Sequence, residues 1–194
     1  MQNKSKMKKF VISMLTEKLA PYHYYHNIEH TLYVYENVKK IAKHEHCTEE
    51  EIGLLKAAAL WHDTGFIHHQ KGHEEESCVL AKTYLPQFGF QEHEITDVCG
   101  MIMATKIPQN PKTKLEEIIA DADLEYLGTE HAEKIALRLY RELKNSNPNL
   151  DITQWNEMQI AFLSAHHYFT DYCKKHNSKN KQAYLDELKQ RSLF

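Results

Sequence analysis

The sequence predicts an all-α, single-domain helical bundle, and three observations carry that prediction. Apolar residues recur at helical spacing along nearly the whole chain, and no alternating apolar and polar run calls for a strand. Helix-start signatures repeat along the chain. With 194 residues, 42% of them hydrophobic, it can fill one core and is too short for two domains of ordinary size.

Met7, Phe10, Val11, Met14, Leu15 and Leu19 share one face of a first helix, which Pro21 follows. The Lys4, Lys6, Lys8, Lys9 cluster reads as its solvated face. A second helix runs from about Ile28 to Glu45 with His30, Val34, Val38 and Ile41 in line, and Asn27 stands where an N-cap belongs. A third starts at a capping box, Thr48 with Glu51, and carries Ile52, Leu55 and Ala59 up to His62 on its buried stripe. Further helices are expected over about 73–85, 91–104, 114–126, 130–144, 152–174 and 180–191. Thr113 with Glu116 and Asp151 with Gln154 repeat the capping signature. Loops fall at GFIHHQKGH (65–73), IPQNPK (107–112) and NSNPN (145–149).

A net charge of -3 and a pI near 6.5 give no case for duplex nucleic acid or an anionic membrane surface as partner. No apolar stretch approaches the ~18 residues of a membrane span, and no signal-peptide core follows the Lys-rich start, so a cytoplasmic location is expected. Cys47, Cys78, Cys99 and Cys173 are too scattered for a zinc ribbon or a disulfide framework. Dinucleotide, P-loop, GxSxG and HExxH motifs are absent. Nothing marks a homo-oligomer interface, and oligomerisation stays open.

Histidine is the compositional outlier, with 14 against 6 glycines. The stretch LWHDTG ends a buried-looking helix on His62 and Asp63, and a carboxylate taken out of water needs a cation. His30 lies on the second helix's apolar stripe, and Asp123, with Asp121 nearby, interrupts a buried-looking helix in IADADLEYLG. Two imidazoles and two carboxylates are the inventory of a divalent-metal site. A four-donor nitrogen and oxygen set leaves positions open, which suits manganese, iron, cobalt, nickel or magnesium better than a closed structural zinc.

In the order H…HD…D, with YHNIEHT, LWHDTGF, HEEES and DADLEYLG, residues 22–128 resemble the HD superfamily of metal-dependent phosphohydrolases, whose fold is all-α. The helices from about 129 to 194 add little to the likeness. It implies His30, His62, Asp63 and Asp123 as metal ligands, with Asp121 as fallback or supporting group. YHN followed by xxH is also similar to the cyclic-nucleotide phosphodiesterase signature, which implies His26 as proton donor to the leaving oxygen. The expected N-cap at Asn27 independently sets His26 beside a helix's positive end, where an anionic substrate is favoured.

A divalent ion with two carboxylates is formally neutral, so a phosphate ester needs further positive groups. Protonated His26, Lys106 and a second ion are the candidates, the ion held by His73, or by His68 or His69, with Asp63 bridging. Phe66 and Ile67 stand where some relatives carry an acid, and ATK at 104–106 replaces ATD, which puts more weight on His26 and Lys106. The pair His166-His167 reads as one core-edge and one surface residue of the long helix, and Tyr22, Tyr24 and Tyr25 as aromatics that staple a helix to the core.

The expectation is a metal-dependent phosphohydrolase acting on a phosphate ester of a nucleotide or related small metabolite. An ion-activated water held by Asp63 would attack, and His26 would protonate the leaving group. The alternatives are a catalytically weak nucleotide-binding sensor and a di-iron oxygenase of the same fold.

Overall fold

The computed structural model describes residues 2–191, with side chains from residue 6. Ten α-helices follow one another: α1 (Gln2–Lys18), α2 (Ile28–His44), α3 (Glu49–Trp61), α4 (His73–Tyr84), α5 (Glu92–Ala104), α6 (Lys114–Asp123), α7 (Ala132–Ser146), α8 (Ile152–Ala165), α9 (Asp171–His176) and α10 (Ser178–Arg191). Tight 3-10 turns occupy Thr64–Ile67, Leu85–Phe88 and Glu125–Gly128, and the described residues contain no strand. None of their helices is long and apolar enough to cross a membrane.

The caps form as local chemistry dictates. Asn27 accepts the His30 amide at 3.2 Å, Thr48 and Glu51 close a full box, and so do Asp151 and Gln154. At α6 half the box forms: Thr113 caps the Glu116 amide, while the Glu116 carboxylate takes the Lys112 amide instead.

Helix α3 is apolar almost all round, with Ile52 to Leu55 and Ala57 to Trp61 buried, so it forms the centre of the bundle. Helices α2, α5 and α6 pack on it, and α1 and α4 close the sides. Val38, Ile41, Leu55, Trp61, Ile102 and Ile118 anchor this main cluster. Truncating one such residue, as in Leu55→Ala, costs about 2–5 kcal/mol. A second, smaller cluster joins Leu124, Tyr126, Leu127, Leu163, Tyr184 and Leu188 across α7, α8 and α10.

Three expectations need correction. The helix expected over 152–174 stops at Ala165, because Asp121 draws the backbone out of the helix: its buried carboxylate accepts the amides of Phe169 and Thr170 and the Thr170 hydroxyl. Thr170 then caps α9, and the buried Lys181 ammonium closes α8 by donating to the Leu163 and His166 carbonyls. His166 and His167 therefore sit in an extended link, not on a helix. His166 is half-buried, and burial first, then the Lys181 charge, pushes its pKa down to about 3. Of the three tyrosines only Tyr25 is buried; Tyr22 and Tyr24 are 50% and 45% exposed and staple nothing. Lys8 leaves the solvated face to lie 4.1 Å over the Tyr35 ring, Lys6 and Lys9 are exposed, and Lys4 lies outside the described side chains.

Candidate metal centre and cavity

Helix α3 ends one residue before the His62-Asp63 pair, and the tight turn at Thr64–Ile67 follows it. Because the pair caps a helix instead of continuing it, both side chains reach the same point. Gly65 enables the next step: a Cβ there would lie 2.0 Å from the His73 carbonyl oxygen, so only glycine lets α4 begin this close. The Gly65 amide donates to Ser77 at 2.8 Å and fastens α4 in place.

His30 comes from the first turn of α2 and Asp123 from the last residue of α6. One donor atom from each of His30, His62 and Asp123 lies within 4.8 Å of the others. His30 Nε2 is 2.9 Å from Asp123 Oδ1 and 3.3 Å from His62 Nε2. Asp63 Oδ2 completes the group, 3.1 Å from His62 Nε2 and 3.4 Å from His30 Nε2. Oδ1, its other oxygen, faces His73 Nε2 at 3.5 Å.

The donor chemistry suits a divalent cation. His62 Nδ1 donates to the Ala59 carbonyl at 2.9 Å and His73 Nδ1 to the Gln70 carbonyl at 3.0 Å, which leaves each Nε2 as the free nitrogen. Asp63 Oδ2 is buried and accepts no hydrogen bond among the described residues. An imidazole nitrogen left as acceptor on His62 and an unsatisfied carboxylate oxygen of Asp63 thus meet at one point, and a cation resolves that arrangement. Two C-terminal helix ends, of α3 and α6, and two N-terminal ones, of α2 and α4, meet here, so the helix dipoles give no net bias toward a cation.

Without an ion the carboxylates recruit protons. Burial works against a charged His62, yet Asp63 and Asp123 outweigh it and hold the imidazole well above its ordinary range. In return, against burial, the His62, His26 and His30 imidazoles hold Asp63 far below the usual carboxylate range, and His30 and His62 bring Asp123 down to about 2.

His26 is fixed from a distance of 116 residues. Glu142 of α7 is buried and accepts the amides of Tyr25 and His26 at 2.8 and 3.1 Å through one oxygen. Its other oxygen takes His26 Nδ1 at 2.5 Å, with His23 Nδ1 3.3 Å away. Burial alone would lower the His26 pKa, but the Glu142 bond and the nearby carboxylates raise it, and Glu142 itself falls to about 2. Phe66 stacks on His26 at 4.0 Å, 19° between planes, and also meets the His73 ring at 4.0 Å. The residue standing where some relatives carry an acid is thus the spacer between two imidazoles.

The other expected residues separate clearly. Asp121 serves the 169–170 link, its carboxylate oxygens bonded to Phe169 and Thr170 and not to the cluster. His68 is half-exposed and bonded to Glu76 at 2.6 Å, and His69 is exposed, so neither joins His73. Lys106 borders the cavity, but its ammonium is paired with Glu75 at the surface. Glu142, the Phe66 stack and the buried Glu74 on the cavity wall escaped the sequence reading. Only Glu74 carried a local signal, in HEEES.

The site opens into a cavity of about 550 Å³, bordered by Asp63, Asp123, His26 and His73 and walled elsewhere by α7, α8 and α10. That size is typical of a small-molecule site.

A family model described as the HD domain matches residues 27–125. The crystal structure of a predicted HD superfamily hydrolase from an uncultured Thermotogales bacterium matches with a TM-score of 0.63 at 22% identity, over 95% of this chain and 90% of that one. At that identity the likeness is one of fold. A search of curated proteins finds no match. Glu142 and most of the apolar cavity wall lie beyond the matched segment.

Proposed function

The chain belongs to the HD domain family, and from that premise we propose that it is a metal-dependent phosphohydrolase cleaving a phosphate ester of a small metabolite, nucleotides included. The observation that carries the reading is the convergence of His30, His62, Asp63 and Asp123 on one buried point beside a protonatable His26 at the mouth of a cavity.

His30, His62, Asp123 and Asp63 Oδ2 would hold one divalent ion, and Asp63 Oδ1 with His73 a second. Bound there, the ions offset the carboxylate charge, attract the phosphoryl oxygens and activate a water as nucleophile. The chain's own residues do the rest. With Nδ1 committed to Glu142, His26 presents Nε2 to the ester oxygen and gives it a proton as the P–O bond breaks. Glu142 keeps the imidazole charged and, through two backbone amides, fixes where it stands. Phe66 holds its plane. The apolar wall excludes bulk water from the reacting centre. Lys106 would have to leave Glu75 before it could hold a phosphate, so His26 and the ions bear that charge.

The test is manganese-loaded protein against a panel of mono-, di-, tri- and cyclic phosphates, with product masses recorded and Asp63→Ala in parallel. Phosphate release that disappears in the variant supports the reading. Metal binding without turnover of any panel member would refute it.

A further inference from the structure

The phosphoryl chemistry uses only one side of the cavity. Its other wall is Leu127, Leu139, Leu143, Met158, Phe162 and Leu163, contributed mainly by α7 and α8. Lys106 is the only lysine or arginine among the described lining residues, and Glu75 holds it. A di- or triphosphate would therefore bring more charge than this wall can answer.

Polar groups on the wall are mostly spoken for. Gln159 accepts the Tyr184 hydroxyl at 2.8 Å and donates to Asn156 at 3.3 Å. Trp155 is the exception. It borders the cavity and is 95% buried, and its Nε1 donates to no group among the described residues but is closed off from the open space, so it presents no donor to a ligand.

We propose that the α7–α8 wall is the specificity pocket of this site, taking the apolar alkyl or aryl group of a single-phosphate ester. The inference rests on the phosphohydrolase reading for the polar side of the cavity. A nucleoside fits the wall poorly, because its sugar hydroxyls and base edges would meet leucine and phenylalanine with few partners to replace water.

The test separates pocket from chemistry. Methyl-, butyl- and octylphosphonate, and adenosine monophosphate, are titrated into manganese-loaded protein by calorimetry, and phosphate release from octyl phosphate is assayed beside them. The pocket predicts that affinity rises about three- to fourfold per added methylene from butyl to octyl. Leu139→Gln, at a half-buried position, should cut the octyl-to-methyl ratio about tenfold or more. A flat chain-length series, or adenosine monophosphate binding more tightly than octylphosphonate, would overturn the proposal. Chain-length-dependent binding without phosphate release would uphold the pocket and refute the hydrolase reading. Release with a flat series would do the reverse.

Discussion

Residues 27–125 bring His30, His62, Asp63, Asp123 and His73 to one point from the ends of four helices, while α7 to α10 contribute one buried glutamate and an apolar wall. The first region is dense in charge and uses helix termini, where side chains from separate helices can converge. The second uses helix faces, where apolar side chains line up at helical spacing. Two aspartates two residues apart, Asp121 and Asp123, mark the boundary between them. One serves the cluster, and the other ties the link after α8 to α6. The division suggests that residues 27–125 set the chemistry, and that the C-terminal helices set which molecule undergoes it and when the proton donor is charged.

The largest expected contrast is between those two aspartates. Asp123→Ala should lose the metal, measured by calorimetric titration with manganese, and about 10³-fold in turnover. Asp121→Ala should keep metal affinity but cost about 3 kcal/mol in chemical denaturation, because three donors lose their acceptor in a buried setting. If Asp121→Ala lost metal at unchanged stability, the boundary would be misplaced.

Next comes His26→Ala, which should retain metal and reduce kcat by about 10²-fold or more, as expected for a missing general acid. Full activity in this variant would remove His26 from the mechanism.

Glu142→Gln should have a smaller effect, about tenfold, with a distinctive pH signature. Since His26 is raised above its ordinary 6.5, the rate should fall as pH rises through that raised value, and the falling limb should move to lower pH in the variant. Stability follows the same linkage. The His26 contribution is complete below about 6.5 and is lost as pH climbs through the folded value. The Glu142 contribution is complete above 4.5 and is lost as pH falls through about 2. The melting-temperature difference between wild type and Glu142→Gln should therefore be widest between about 4.5 and 6.5. A pH-independent difference would mean that Glu142 only packs.

Gly65→Ala should cost about 1–3 kcal/mol by overpacking against the His73 carbonyl, seen as a lower melting temperature. Lys106→Ala, an exposed partner of Glu75, should leave the melting temperature essentially unchanged and change turnover by less than about threefold. A larger loss of turnover would restore Lys106 to the substrate.

The helices and most of their caps were legible because their causes are local: Asn27, Thr48 and Asp151 each satisfy the amide three residues on. The cluster was legible because helix ends place His30, His62, Asp63 and Asp123 in family order. What escaped depends on long-range pairing. Nothing near Glu142 announces a partner 116 residues earlier. The break after Ala165 is imposed by Asp121, far back in the chain. Phe66 looked like a missing acid and proved to be a stacking surface, since one residue cannot reveal which rings flank it.

The span from His26 to Glu142 also orders events in time. A ribosome adding ~5–20 residues per second releases every residue of the charged cluster, His30 through Asp123, before the carboxylate that orients His26. A nascent chain thus has its ion-binding set complete while its acid is still unclamped. On the proposed reading, an ion captured early would meet no oriented proton donor until α7 docks.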